Sequence, residues 1–452
     1  MKNITNPILT IMIISIIHLL SSCQDFLDEK PSTDLVVPDN LEDIQALLDN
    51  EYIMNRNSDM GEVASDDYFI SKQEWESWNE ITRNAHVWAD IISPTGRFVS
   101  WNSLYEQVFY ANVALEQLDD IVPDSNEQVD WDRLRGSALF YRSSAFYNLL
   151  RIFTMPYHLA DPDLGIPLKL SADVNKLAKR SSIEDSYAQV IADLEVALDL
   201  LPSRATIATR PSKQAVYGLL ARVYLSMGDY QKVFNYTSLA LELGNELMDY
   251  ANLEQGNTFG FKRLNEEVVY CSYFSSGSIG YSSDTFILSE IYESYAAGDL
   301  RKSLFFTQPN QDGHVKFRGT YMGNLYLFDG IATDELLLNR AEAAVRLGNE
   351  ELALEDLNYL LEHRFEVGKF EPIAGISGED LLERILEERR KELVFRGLRW
   401  EDLRRLTGSQ YEKIVTRDLD GEIYTLEPGS PKYAYPIPLD ELQLNDMKQN
   451  PR

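Results

Sequence analysis

Cysteine is almost missing from this chain. Only Cys23 and Cys271 occur in 452 residues, so no disulfide framework can brace the body. Cys271, close to Tyr270 and Tyr273, reads as a small buried apolar residue rather than a nucleophile. Histidine is scarce too, five in all with no HxxxH spacing and no paired CxxC, so nothing argues for zinc, and no metal ligand and no cofactor is assigned. No EF-hand spacing is present. Positive charge is in short supply: 42 Lys and Arg stand against 72 Asp and Glu, a formal net charge of −30. Such a surface repels phosphate backbones and argues against nucleic acid as a partner. Neither the GxSxG nucleophile turn nor the GxxxxGK[ST] phosphate loop occurs. A helical glycoside hydrolase would need two carboxylates about 5–10 Å apart across a cleft. Among 72 acids a pair such as Asp66 and Asp67 arises without meaning, so no catalytic residue is assigned.

What the chain does have begins at its start. Lys2 is followed by an almost wholly apolar run from Ile8 to Leu20, then Leu20-Ser21-Ser22-Cys23. A charged start, a short apolar core and small residues before a cleavage point make a signal peptide over residues 1–22. The run is shorter than the roughly 20 residues of a comfortable membrane span. Residues 23–40, with Pro31, Pro38 and many acids, read as a tether, and a single body is expected over 41–452.

With 44% hydrophobic residues the body can bury a large core. Its periodicity is helical. Leu104, Val108, Ala111, Leu115 and Leu118 form one stripe, and Pro123 ends it. Ala138, Tyr141, Ala145, Leu149 and Ile152 form the next. Ser182 is placed to cap a helix that Pro202 closes. Two segments, Ser212–Leu243 and Thr333–Phe365, each read as helix, glycine turn, helix, with Gly228 and Gly348 at the turns. That plan matches a tetratricopeptide repeat of about 34 residues. The predicted fold is therefore all-α: an interrupted array of about four helix pairs over roughly 101–248 and 331–406. Roughly 65–100 and 249–330 are loop-rich, with dense aromatic residues and little helical period. Long insertions in repeat proteins fall on one face, often the binding face.

By these residues the chain resembles the SusD/RagB family of Bacteroidetes nutrient-uptake lipoproteins. The segment from Glu387 to Arg405, EERRKELVFRGLRWEDLRR, resembles the family's late helix, and Tyr435-Pro-Ile-Pro438 with Gln449-Asn450-Pro451 its C-terminal end. Arg340-Ala-Glu-Ala343, Leu220–Leu225 and Ser65-Asp66-Asp67 resemble further segments. Leu-Ser-Ser-Cys23 resembles a lipobox, which implies a lipidated Cys23, an anchor in the outer membrane and, with the acidic residues after it, display at the cell exterior. The resemblance implies docking on a SusC-type TonB-dependent transporter and capture of a glycan, or in some members a peptide, without catalysis.

Flat rings suit the apolar faces of sugars. The candidate ligand contacts are therefore Trp75 and Trp78 in their polar surroundings, Asp67 and Tyr68 just before them, and Tyr273, Phe274 and Tyr281 around a small-residue run. A separate group is read as structural. Arg389 and Arg390 interrupt an apolar helix face, and buried arginines need partners. Glu342 is the expected one.

Overall fold

Asn40 starts the body by capping helix α1 (Leu41–Leu48): its side chain accepts the Asp43 N–H at 2.9 Å. The computed structural model describes residues 38–93, 96, 98–254, 258–274, 279 and 284–452. The signal peptide over 1–22, Cys23, most of the tether and Tyr281 lie outside these residues. Among the described residues no helix is long and apolar enough to cross a membrane.

Helices α2 (Val99–Asp120) and α3 (Gln128–Phe153) pack along each other, and α3 packs on α4 (Ile183–Leu200). Ser182 caps α4 through the Asp185 N–H at 2.8 Å. Helices α5 (Lys213–Met227) and α6 (Tyr230–Leu243) are joined by a tight turn in which Gly228 takes a left-handed φ of 78°. A side chain would be strained there. The next residue, Asp229, caps α6. The same device joins α7 (Thr333–Arg346) to α8 (Glu350–Glu362), with Gly348 at φ 83° and Asn349 as the cap. Both hairpins stand where the glycine spacing put them, and α6 packs on α7. Ala221, Ala240, Ala341 and Ala353 are fully buried at these contacts, because small residues let helices approach closely. Helices α9 (Gly378–Glu392) and α10 (Arg399–Arg405) follow, separated by a bend at Gly397.

The expectation of an all-α fold needs correction. Eight short strands form four two-stranded sheets among the described residues. Three sheets join segments far apart in sequence: β1 (Arg56–Asn57) with β4 (Tyr273–Phe274), β2 (Tyr68–Ile70) with β5 (Thr285–Ile287), and β3 (Val268–Tyr270) with β6 (Ile331–Ala332). Buried backbone N–H and C=O groups need partners. Of these three sheets, the β2–β5 sheet ties the two loop-rich regions to each other. The fourth sheet is a hairpin, β7 (Val415–Leu419) and β8 (Glu422–Leu426), turned by Asp420 and Gly421 with φ of 55° and 88°, the Asp-Gly turn that suits strand twist.

Candidate binding site

The β2–β5 sheet builds the site. In the antiparallel register Phe69 faces Phe286, flanked by the pairs Tyr68–Ile287 and Ile70–Thr285. Alternation along a strand sends neighbours to opposite faces. Tyr68, Ile70, Thr285 and Ile287 are accordingly buried, while Phe69 and Phe286 stay partly exposed. Their ring centroids are 5.6 Å apart. His314, arriving from a distant loop, sits 5.0 Å from Phe69 and 4.9 Å from Phe286. Lys316 lies over the Phe286 ring at 5.5 Å. This gives one aromatic face with a cation at its edge. It borders a cavity of about 580 Å³ whose walls include Phe69, Leu288, Glu290, Lys413, Thr416 and Asp418. Glu290 and Lys413 also line a neighbouring cavity of about 390 Å³ beside α9 and α10.

The floor of this site is electrostatic. Arg390 donates to Asp67 at 2.9 Å, to Glu290 at 2.9 Å and to the Asp66 carbonyl at 2.9 Å. Arg399 grips both oxygens of Asp66 at 2.5 and 2.8 Å. Burial alone would raise the Asp66 carboxyl, but Arg399 and Arg390 overcome it and hold Asp66 well below the usual carboxylate range. At Asp67 burial dominates over Arg390, and its carboxyl moves up. The hairpin behind the site is clamped by Arg417, which donates to the carbonyls of Val63 and Ser65 at 3.0 and 2.7 Å. Arg417 also donates to His86 Nε2 at 3.2 Å. His86 Nδ1 is then the protonated nitrogen and donates to Tyr68 Oη at 3.0 Å. Burial and the Arg417 charge keep His86 neutral, far below its ordinary pKa.

The candidate contacts read from the sequence fare unevenly. Asp67 and Tyr68 are buried. Asp67 is bound to Arg390, and Tyr68 donates to the Val63 carbonyl at 2.7 Å while also lining the cavity of about 580 Å³. Phe274 is also core, wedged against the Gly397 bend, where any Cβ would meet its ring at 2.4 Å. Trp78 is only 9% exposed and donates to Glu74 at 2.9 Å. Trp75 is partly buried and donates to the Arg83 carbonyl at 3.0 Å. Tyr273 is half-buried against Tyr326, ring centroids 5.1 Å apart. The sequence reading passed over Phe69, Phe286 and His314 as contacts. Phe69 and Phe286 stood only among the dense aromatics, and no local signal shows that distant segments pair.

Glu342, Arg389 and Arg390 are placed in ion pairs, but with other partners than expected. Glu342 is fully buried and receives Arg405 at 2.6 and 2.7 Å and Arg346 at 3.0 Å. Arg389 instead binds Asp402 at 2.9 Å and Asn339 at 2.6 Å. Neighbours on a helix diverge by about 100°, and Arg389 and Arg390 accordingly meet different acids, Asp402 and Asp67. Arg405 keeps Asp402 at 2.8 Å if Glu342 is lost. Glu342→Ala is therefore expected to cost about 2–3 kcal/mol in urea unfolding, with ligand choice unchanged.

Sequence and structure comparisons agree on the relatives. A family described as starch-binding and associating with the outer membrane matches residues 25–225, and the SusD family matches 333–452. The chain belongs to the SusD/RagB family. SusD-like protein P2 of Formosa agariphila is 25% identical over 425 residues, covering 78% of this chain and 79% of that protein. SusD-like protein P38 of the same organism is 22% identical, covering 89% and 92%. The crystal structure of a SusD superfamily protein from Bacteroides thetaiotaomicron superposes with a TM-score of 0.74 at 23% identity, over 91% of this chain and 100% of that one. A SusD-like carbohydrate binding protein from Bacteroides vulgatus gives 0.68 at 21%, over 90% and 97%. These two likenesses establish the SusD fold. Carbohydrate binding and outer-membrane association come with the family description.

Proposed function

We propose that this SusD-family protein captures a glycan at the outer surface of the cell and delivers it to a SusC-type TonB-dependent transporter, held to the outer membrane by a lipid on Cys23. It binds and does not catalyse. The observation that carries the reading is the Phe69–Phe286–His314 face beside a cavity of about 580 Å³. Ligand sites of about 300–1,000 Å³ with aromatic walls and a few polar groups are typical for sugars and other small molecules. The lining supplies those polar groups from Lys413, Thr416 and Asp418, and the rings supply the apolar platform.

Calorimetry of the protein against panels of oligosaccharides and of peptides tests this. Saturable binding of one oligosaccharide class is expected, without product on chromatography. Phe69→Ala with Phe286→Ala should weaken it about tenfold or more. Binding of peptides alone would make peptide the cargo. Product formation would make the protein an enzyme. Unchanged glycan affinity in the double variant would place the site elsewhere.

A further inference from the structure

Three lines of residues run from the aromatic cavity into its neighbour of about 390 Å³. The first is one stretch of chain. Gln410 and Tyr411 line the neighbour, Lys413 lines both, and Thr416 and Asp418 on β7 line the aromatic cavity. The second leaves the end of β5, with Leu288 on the aromatic cavity, Glu290 on both and Ser294 on the neighbour. The third is the floor. Asp66 of the aromatic cavity is tied to Arg390 and Arg399, which line the neighbour. Two cavities that share two walls and a floor make one groove.

The neighbour holds a ring of its own. Tyr411 is half-buried, and its hydroxyl donates to Glu379 at 2.6 Å and accepts from Gln410 at 2.9 Å. The loop that carries it is pinned. Ser409 donates to the Leu406 carbonyl at 2.6 Å and accepts the Tyr411 N–H at 3.1 Å. Glu412 accepts the Gly408 N–H at 2.8 Å. A ring held in this way loses little freedom when a ligand covers it. The charges of the floor are matched within the protein. Arg390 serves Asp66, Asp67 and Glu290, and Arg384 and Lys391 both donate to Glu388 at 2.5 Å. Ion pairs satisfied among themselves leave the groove to groups that donate and accept hydrogen bonds without carrying charge. Glu387, exposed on α9, and Lys413, exposed where the two cavities meet, supply an acceptor and donors for such groups.

We propose that the neighbouring cavity is a second subsite for the same cargo, so that the protein selects a chain of neutral sugar units long enough to lie on the Phe69–Phe286 face and on Tyr411 at once. Each cavity alone falls in the range of about 300–1,000 Å³ that holds one small ligand. A short sugar fills the first and gains nothing from the second. A longer one adds a second aromatic platform. It does so without a second loss of translational freedom, because the two binding events are linked through the chain. The proposal rests on the sugar-cargo reading and adds a length requirement to it, with Tyr411 as the residue that reads the length.

The test is calorimetry of the full-length protein in detergent. The probes are three neutral series, maltose to maltoheptaose, cellobiose to cellohexaose and xylobiose to xylohexaose, with oligogalacturonates beside them. In at least one neutral series the affinity should rise about tenfold or more from the disaccharide to the longest member. Tyr411→Ala should remove most of that rise and leave the disaccharide where it was. Tyr411→Phe keeps the ring and should keep the rise. Glu387→Ala should also reduce the rise without touching the disaccharide. An affinity that is flat with length, or a rise that survives Tyr411→Ala, overturns the proposal. So does an equal loss at every length in Tyr411→Ala, because the residue would then only hold the first cavity in shape. Oligogalacturonates binding more tightly than every neutral series overturn it too, since the floor charges would then be open to an anion. If disaccharides bind through Phe69 and Phe286 with no gain from length, the cargo reading stands and only this inference fails. Binding of no probe at all sinks both.

Discussion

Replacing Arg301 with methionine is expected to cost about 3–5 kcal/mol of stability and to lower the urea midpoint accordingly. The reason lies in what Arg301 faces. It is fully buried and donates to Asp299 at 2.7 Å, to Glu388 at 2.7 Å and to Glu392 at 3.0 Å. Arg364, also fully buried, continues the chain from Glu392 at 2.7 Å to Glu267 at 2.9 Å. Tyr295 and Tyr250 lie against the two guanidinium groups, 5.5 and 4.0 Å from ring to centre. Methionine fills the space but leaves three carboxylates facing one another without water. Burial would lift Glu388, yet Arg301 and Lys391 hold its pKa down to about 2. Without Arg301 that pull weakens and the stranded acids take up protons at higher pH. The deficit should therefore be largest near neutral pH and shrink as pH falls toward about 4. A variant within about 1 kcal/mol of the parent across that range would show that the network contributes specificity rather than stability. Lysine at 301 should recover only part of the loss, because one ammonium cannot serve three acids at the geometry of the guanidinium fork.

That network also explains how much of the molecule could be read from its sequence. The two glycine-turned hairpins and the Ser182 cap were legible because they depend on residues a few positions apart. The meaning of Arg389 and Arg390 was legible only in kind. A buried arginine demands an acid, but which acid depends on how α7, α9 and α10 cross, and helical period does not encode that. Glu342 went to Arg405, and Arg390 went to the loop at Asp66 and Asp67.

The strands show the same division. The β7–β8 hairpin had a local signal, Asp420-Gly421 between alternating residues, and the helical reading passed over it. The other three sheets had none, since each joins segments more than 60 residues apart. This is why the aromatic face was invisible. Phe69 and Phe286 become neighbours only through β2 and β5, whereas the tryptophans that stood out in the sequence use their N–H groups on Glu74 and on the Arg83 carbonyl. An indole in a polar stretch looked exposed because its polar neighbours were taken as surface. In the folded chain one of those neighbours, Glu74, is the hydrogen-bond partner of Trp78.

Glu62 supplies the second large effect, and it is one of pH. Its carboxyl is fully buried under the loop that carries Asp66 and Asp67. One oxygen receives the Ser65 hydroxyl at 3.1 Å and the other the Gly397 N–H at 3.0 Å. Burial, reinforced by the Asp67 charge, pushes its pKa up to about 8. The folded protein therefore keeps a proton that the unfolded chain releases near pH 4.5. An acid raised in this way takes stability away as pH rises between those two values, and the loss is complete above about 8. A shift of this size corresponds to a few kcal/mol, about 1.4 kcal/mol for each unit. Glu62→Gln removes the titration while its amide oxygen still accepts from Gly397. The variant should match the parent near pH 4.5 and exceed it by roughly 2–4 kcal/mol near pH 8.5. Subtracting the two curves isolates Glu62 from every other carboxylate in the chain. A difference that stays flat with pH would mean that Glu62 is ionised in the folded protein, balanced by a cation other than the two donors it touches. A difference of the expected shape has a functional corollary. Gly397 sits at the bend before Arg399, and Arg399 holds Asp66 beneath the aromatic face. Ligand affinity in the parent should then decline above about pH 8 along with stability, and the glutamine variant should retain it.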